Sequence, residues 1–85
     1  MPNERVEDRL KSMIVERLML HAQPADIGDE DDLLKKWNVE SVQLMEIVIG
    51  LEELFGIQLG DDEFSMEKFS TIKKIAGIVR QKLAR

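Results

Sequence analysis

The chain has 85 residues, contains no cysteine and carries a formal net charge of −5 at neutral pH. This length allows one small domain, residues 1–85, and the missing thiols exclude disulfides, zinc–thiolate sites and cysteine nucleophiles. No apolar run approaches the roughly 20 residues of a membrane span, and the first ten residues are charged rather than signal-like. We therefore expect a cytoplasmic protein without stable membrane insertion.

Charge is unevenly distributed along the chain. Between Asp26 and Glu67 there are 13 acidic residues and only two basic ones, Lys35 and Lys36, whereas the flanking parts together are basic. The middle of the chain should repel the phosphates of nucleic acids and attract basic protein surfaces. The sequence thus disfavours nucleic-acid binding and favours basic protein partners.

An amphipathic helix is predicted from about Glu4 to Leu20. Its apolar residues recur at steps of three and four and form one stripe: Val6, Leu10, Met13, Ile14 and Leu18. An irregular segment follows from His21 to Val39, in which Pro24, Gly28 and four consecutive acids disfavour a continuous helix. Three apolar side chains are expected to hold this segment against the core: Leu33, Leu34 and Trp37.

Three further helical segments follow. The second helix should run from Ser41 to Phe55, because Gly56 is well suited to the position after a helix end. A short helix is expected around Phe64, Met66 and Phe69. Ser70 or Thr71 then caps the last helix, which has one clean apolar stripe: Ile72, Ile75, Ala76, Val79 and Leu83. The fold class is therefore all-α, a bundle of three longer helices and one short helix with a long loop between the first and second.

The second helix has apolar residues on two sides. A rotation of about 100° per residue places a broad set on one side, which suits the core: Leu44, Ile47, Val48, Leu51, Leu54 and Phe55. On the opposite side Val42, Met45 and Ile49 form a second stripe, called the outer stripe below. Its borders carry polar residues and one glycine: Gln43, Glu46, Gly50 and Glu53 on one edge and Glu52 on the other. Either the outer stripe docks partners that offer an apolar groove with basic flanks, or the long loop covers it.

Ser41 stands at the start of this helix. A serine there commonly acts as the N-cap, but the free backbone amides also tolerate a phosphate ester. The runs WNVESVQLMEIV at residues 37–48 and LEELFGI at residues 51–57 resemble acyl carrier proteins, as does the entry into the last helix at residues 70–72. The resemblance keeps the order of these segments and covers nearly the whole chain, from about Val6 to Leu83.

The resemblance implies a carrier that has no catalytic activity of its own. Ser41 would hold 4'-phosphopantetheine, transferred from coenzyme A by a separate, magnesium-dependent phosphopantetheinyl transferase. The thiol of that arm would carry an acyl or aminoacyl group as a thioester, for fatty-acid, lipid or secondary-metabolite biosynthesis.

The resemblance also implies two further sets of site residues. A monomeric carrier would dock acyl-loading and acyl-processing enzymes that have basic patches, through Glu40, Val42, Met45, Glu46, Ile49, Glu52 and Glu53. An acyl pocket between the helices would be lined by apolar residues: Val48, Leu51, Ile57, Leu59, Ile72 and Ala76.

Some positions depart from the family pattern. Glu40 stands where the family usually has aspartate, and Val42 stands where it usually has leucine. The segment from Gly60 to Thr71 is longer than in typical fatty-acid carriers and looks closer to D-alanyl and peptidyl carriers. These departures indicate a specialised carrier. The alternatives are a D-alanyl or peptidyl carrier and a non-covalent acidic helical adaptor.

Other residues give little indication of chemistry. His21 is the only histidine, so neither a catalytic triad nor a zinc site can be assembled. Asp29, Asp31 and Asp61 are not followed by the in-phase glycine and glutamate of an EF-hand, and no metal site is expected. Trp37 fits a loop anchor better than a residue that stacks on a ligand.

Overall fold

The computed structural model describes residues 5–60 and 63–84, and the helices in these ranges pack around one apolar core. Helix α1 spans Val6–Leu18, α2 spans Ser41–Phe55 and α3 spans Ile72–Leu83. A single 3-10 turn, Pro24–Asp26, lies between α1 and α2. The all-α fold class is confirmed, and the described ranges contain no strand.

Helix α1 is shorter than the segment predicted for it. It begins at Val6, and Glu4 lies outside the described residues. Its end is set by Met19, whose φ of 54° is left-handed. The Met19 amide donates to the Glu16 carbonyl at 3.3 Å, and the Leu20 amide donates to the Val15 carbonyl at 3.0 Å. These bonds satisfy the last carbonyls of the helix and turn the chain away from its axis.

The short helix predicted around Phe64, Met66 and Phe69 is a set of turns instead. The Phe69 amide donates to the Ser65 carbonyl at 3.2 Å, and Ser65 Oγ accepts from the Lys68 amide at 3.0 Å. These bonds close one turn, and the chain then enters α3 through Ser70 and Thr71. Three α-helices are therefore present in the described ranges, and the fourth helix of the predicted bundle is not confirmed. The preceding acidic residues, Asp61 and Asp62, lie outside those ranges.

The loop from His21 to Val39 follows the core closely. Leu33 is fully buried, while Leu34 and Trp37 are partly buried against the core, so the predicted anchors are confirmed. Ile27 and Val39 are two further buried anchors that the sequence analysis missed. The Leu33 amide donates to the Ser70 carbonyl at 2.8 Å, which fixes the loop beside the start of α3.

Cations from α1 and from the residue before it pair with the acidic part of the loop. Asp29 lies 2.7 Å from Lys11 Nζ and 2.9 Å from Arg5 Nη2. The hydrogen bond from Lys11 is the main reason why the pKa of Asp29 lies below its usual value, and the bond from Arg5 lowers it further. On the other side of the loop, Lys73 of α3 lies 3.6 Å from Glu30. Asp29 is thus paired within the fold rather than free to attract a partner, whereas Glu30 stays exposed.

Glu7 joins the first helix to the last. It is 8 % exposed, and its two carboxylate oxygens accept from Arg80 Nη1 at 2.8 Å and Arg80 Nη2 at 2.7 Å. Chiefly through these hydrogen bonds, the pKa of Glu7 falls from its ordinary 4.5 to about 2. A bidentate guanidinium–carboxylate pair fixes orientation as well as distance, so it sets how α1 lies against α3.

Apolar packing supplies the rest of the architecture. Four residues of the predicted core face of α2 are buried, namely Leu44, Ile47, Val48 and Leu51. They share one core cluster with the buried stripes of the other two helices. None of the described helices is long and apolar enough to span a bilayer.

Candidate functional site

Ser41 is the first residue of α2 and not its N-cap. Glu40 occupies the capping position, and its amide donates to Gln43 Oε1 at 2.9 Å, which closes the first turn. Ser41 is exposed, and its hydroxyl makes no hydrogen bond within residues 5–60 and 63–84. The interpretation of this serine as a helix cap is therefore wrong, and its oxygen is available for chemistry.

The backbone just before Ser41 is held firmly in place. Val39 is buried, and its amide donates to the Leu33 carbonyl at 3.0 Å. Asn38 has a φ of 56°, a left-handed conformation that asparagine adopts more readily than most residues. The loop thus turns sharply at Asn38, buries the next residue and presents the start of α2 at the surface.

The start of α2 fits a phosphate ester on Ser41. The amides of the first turn have no carbonyl partner within the helix, and the aligned peptide dipoles give this end a partial positive charge. An exposed serine oxygen at such an end can be reached by a modifying enzyme, and the charge of the ester is stabilised there.

The outer stripe is exposed to solvent. Val42 is 73 % exposed, Met45 46 % and Ile49 40 %, values far above those of the buried face of the same helix. The long loop packs elsewhere, through Ile27, Leu33 and Val39. The alternative in which the loop covers the outer stripe is therefore wrong.

One edge of the outer stripe carries a cation that the sequence analysis did not assign to it. Arg17 of α1 places Nε 3.2 Å from Glu46 Oε1 and Nη1 3.2 Å from Glu53 Oε1. The hydrogen bond with Glu46 is the main reason why the pKa of Arg17 is raised, and the bond with Glu53 raises it further. No pattern within either helix indicates this contact, because it depends on how α1 packs against α2.

Glu52, expected on the other edge of the outer stripe, has a role inside the fold. Its side chain is partly buried, and Oε2 accepts from the Leu59 amide at 2.9 Å. This bond ties the extended segment after Gly56 back to α2. Glu40 remains exposed at the capping position.

The six residues predicted to line an acyl pocket are brought together in or against the core. Val48, Leu51, Ile72 and Ala76 are buried in one cluster, Ile57 is nearly as buried, and Leu59 packs against them. Two open depressions lie nearby: one of about 590 Å³ is lined in part by Ile57 and Leu59, and one of about 450 Å³ lies along α3 beside Gly77 and Ile78. The six residues are thus neighbours in or against the core, and the acyl pocket that they would line stays a prediction.

The remaining candidates in the described part of the chain carry no arrangement for metal chemistry. His21 is exposed at the start of the long loop. Within the described ranges, no three histidine or carboxylate side chains come together in a group that could hold a metal ion.

Comparisons with known proteins agree with this geometry. The family model described as "Phosphopantetheine attachment site" matches residues 8–79. The acyl carrier protein of Coprothermobacter proteolyticus is 23 % identical over 83 residues, covering 98 % of this chain and 96 % of the relative. That of Helicobacter hepaticus is 29 % identical over 72 residues, covering 85 % and 90 % respectively.

A solved structure shows the same fold. The NMR structure of the holo acyl carrier protein from Nitrosomonas europaea has a TM-score of 0.84 at 23 % identity, covering 96 % of this chain and all of that one. This similarity shows the fold, and the family model, which spans most of the chain, decides the class of the protein. The chain belongs to the phosphopantetheine attachment-site family: it is a carrier of the acyl carrier protein type, not an enzyme, and its cofactor is covalently bound 4'-phosphopantetheine.

Proposed function

We propose that Ser41 is the attachment point of the phosphopantetheine arm and that the protein passes acyl groups, held as thioesters, between partner enzymes. The observation that carries this proposal is the geometry at the start of α2. Glu40 and Gln43 close the first helical turn, so the exposed Ser41 hydroxyl has no structural task. The family match supports a covalent carrier over the non-covalent adaptor.

The residues around Ser41 would bind and orient the arm at its base. Free amides in the first turn of α2 stabilise the phosphate ester, and the buried Val39 fixes the position from which the arm extends. When bound, the arm supplies the thiol that forms the thioester, a group that this cysteine-free chain does not itself contain.

The outer stripe is proposed as the docking surface for the transferase and for acyl-loading and acyl-processing enzymes. Val42 directly follows Ser41, so a partner seated on the stripe has the attachment point beside it. Charge complementarity indicates the kind of partner, because the exposed carboxylates of Glu40, Glu46 and Glu53 border the apolar residues. A groove with apolar walls and basic flanks would match this surface.

The finer assignments stay predictions. These are fatty-acid, lipid or secondary-metabolite biosynthesis as the pathway, the D-alanyl or peptidyl alternative, the cytoplasmic setting and the monomeric state. The close packing of the six predicted pocket residues gives no support for a preformed acyl cavity.

Intact-mass measurement tests the attachment. The purified chain is incubated with coenzyme A, magnesium and a broad-specificity phosphopantetheinyl transferase, and we expect the mass of one arm to be added. Ser41→Ala should abolish the addition. Ser12→Ala is the matched control, since Ser12 lies on α1 away from the start of α2, and it should be modified like the unaltered chain. Modification of Ser41→Ala, or an unmodified chain after treatment with several transferases, would contradict the proposal.

A further inference from the structure

We propose that Arg17 is a specificity-determining residue of the docking surface. By holding Glu46 and Glu53, it weakens the docking of partners that depend on basic side chains, and it leaves the apolar contact of the outer stripe unchanged. The inference rests on the proposed docking role of that stripe, and it adds a residue from α1 to a surface otherwise assigned to α2.

One guanidinium spans two turns of α2. Glu46 and Glu53 are seven residues apart, and they meet different nitrogens of Arg17, Nε and Nη1, each at 3.2 Å. A guanidinium presents its donors in a fixed planar fork, so it can bridge two separate carboxylates.

Gly50 provides the space for this arrangement. It lies between Glu46 and Glu53 on the same edge of the helix, and it is buried although it has no side chain. A Cβ at this position would lie 3.0 Å from Arg17 Cδ and 2.6 Å from Met13 Sδ. The missing side chain therefore lets Arg17 and Met13 pack directly against the backbone of α2.

The exposed fractions explain why Arg17 competes with a partner and does not block it. The Arg17 side chain is 30 % exposed, against 51 % for Glu46 and 67 % for Glu53. An incoming cation can therefore reach the carboxylates, but it must share or displace the bonds that Arg17 already makes. Exposed ion pairs are individually weak, so the competition should change affinity several-fold rather than abolish binding.

A peptide titration measures this competition without requiring the arm. The probe is a synthetic amphipathic helix of leucine and arginine, and binding is followed by the backbone amide shifts of residues 42–53. We expect Arg17→Gln to bind the peptide about three- to tenfold more tightly than the unaltered chain. Lys68→Gln is the matched control, because it removes the same charge from an exposed side chain that forms no ion pair within the described ranges. It should change the affinity less than twofold.

Two further variants assign the effect to the bridge. Arg17→Lys keeps the charge, but an ammonium group cannot reach both carboxylates with separate planar donors. Its affinity for the peptide should therefore lie between that of the unaltered chain and that of Arg17→Gln. In a Glu46→Gln/Glu53→Gln background, Arg17→Gln should no longer tighten binding.

Four outcomes would overturn the proposal: unchanged affinity in Arg17→Gln, equal tightening in Lys68→Gln, tightening that persists without the two carboxylates, or peptide shifts confined to residues outside α2. The intact mass of the transferase-treated chain tests Ser41 separately. A failure there leaves the peptide result interpretable, since the peptide binds the unmodified chain.

Discussion

At the scale of single residues, Gly56 and Gly77 meet different conformational demands. Gly56 follows α2 with a φ of 67°, and its amide donates to the Glu52 carbonyl at 2.9 Å. Gly77 lies inside α3 and is exposed. A Cβ at either position would meet no other atom within 4 Å, so an alanine there changes the backbone energetics and not the packing.

Alanine substitutions should therefore have opposite effects at the two positions. Gly56→Ala places a Cβ in the left-handed region and should lower the free energy of unfolding by about 1–2 kcal/mol. Gly77→Ala removes unfolded-state freedom and raises helix propensity, and it should increase that free energy by about 0.5–1 kcal/mol. Urea denaturation of the two variants measures both values, and effects of the same sign would contradict the explanation.

At the scale of elements, the loop between α1 and α2 has defined structure without being helical. Asp31 accepts from the Gly28 amide at 2.8 Å and from Trp37 Nε1 at 3.2 Å. The hydrogen bond from the Gly28 amide is the main reason why the pKa of Asp31 lies below its usual value, and the bond from Trp37 adds to it. One carboxylate thus connects two distant points of the loop.

Removing this carboxylate should loosen the loop. Asp31→Ala leaves the Gly28 amide and the Trp37 indole without their acceptor, which should cost about 1–3 kcal/mol. Trp37 is the single tryptophan of the chain, so its emission reports on the loop directly. We expect a red shift in Asp31→Ala and none in Glu30→Ala, whose carboxylate is exposed and lies 3.6 Å from Lys73. Equal shifts in both variants would argue against this role of Asp31.

Sequence periodicity predicted those features that depend on a single element. The apolar stripes and Gly56 located the helices, because burial repeats with the helical period and glycine tolerates the left-handed end. The short helix is not confirmed in the described ranges, since apolar spacing does not reveal that Ser65 closes only one turn. The capping position could not be assigned from periodicity either, because the pairing of Glu40 with Gln43 places Ser41 one position inside the helix.

Contacts between elements could not be predicted from periodicity. The Arg17 bridge requires a particular approach of α1 to α2, and it depends on the missing side chain of Gly50. The outer stripe is exposed because the loop packs against the core through Ile27 and Val39, and periodicity does not predict that packing. Such features depend on packing angles between elements, which apolar spacing within one helix does not specify.

At the scale of the whole molecule, the bond between Glu7 and Arg80 joins segments 73 residues apart in sequence. The pKa of Glu7 is lowered in the folded chain, so the charged carboxylate stabilises the fold at pH values above its ordinary 4.5. This contribution decreases as the pH falls towards about 2, where the folded carboxylate takes up a proton.

Glu7→Gln tests this contribution. At pH 7 we expect the free energy of unfolding to fall by about 1–3 kcal/mol, a range that allows for solvent screening of the half-exposed Arg80. At pH 3 the two chains should differ less in their free energy of unfolding, because the charged Glu7 carboxylate then contributes less to stability than at pH 7. Urea titrations at both pH values measure it, with Glu16→Gln on the exposed side of α1 as the control. A difference that does not change with pH would count against the ion pair.

The position of α3 in the chain has a consequence for the order of folding during synthesis. The core needs Ile72, Ile75, Ala76 and Val79, and Glu7 needs Arg80. Until α3 is available, the apolar faces of α1 and α2 lack part of their cover, and Glu7 keeps only its contact with Arg5 Nε at 3.4 Å. The nascent chain therefore completes its core only when α3 becomes free, so earlier stages should be the ones most exposed to proteases and chaperones.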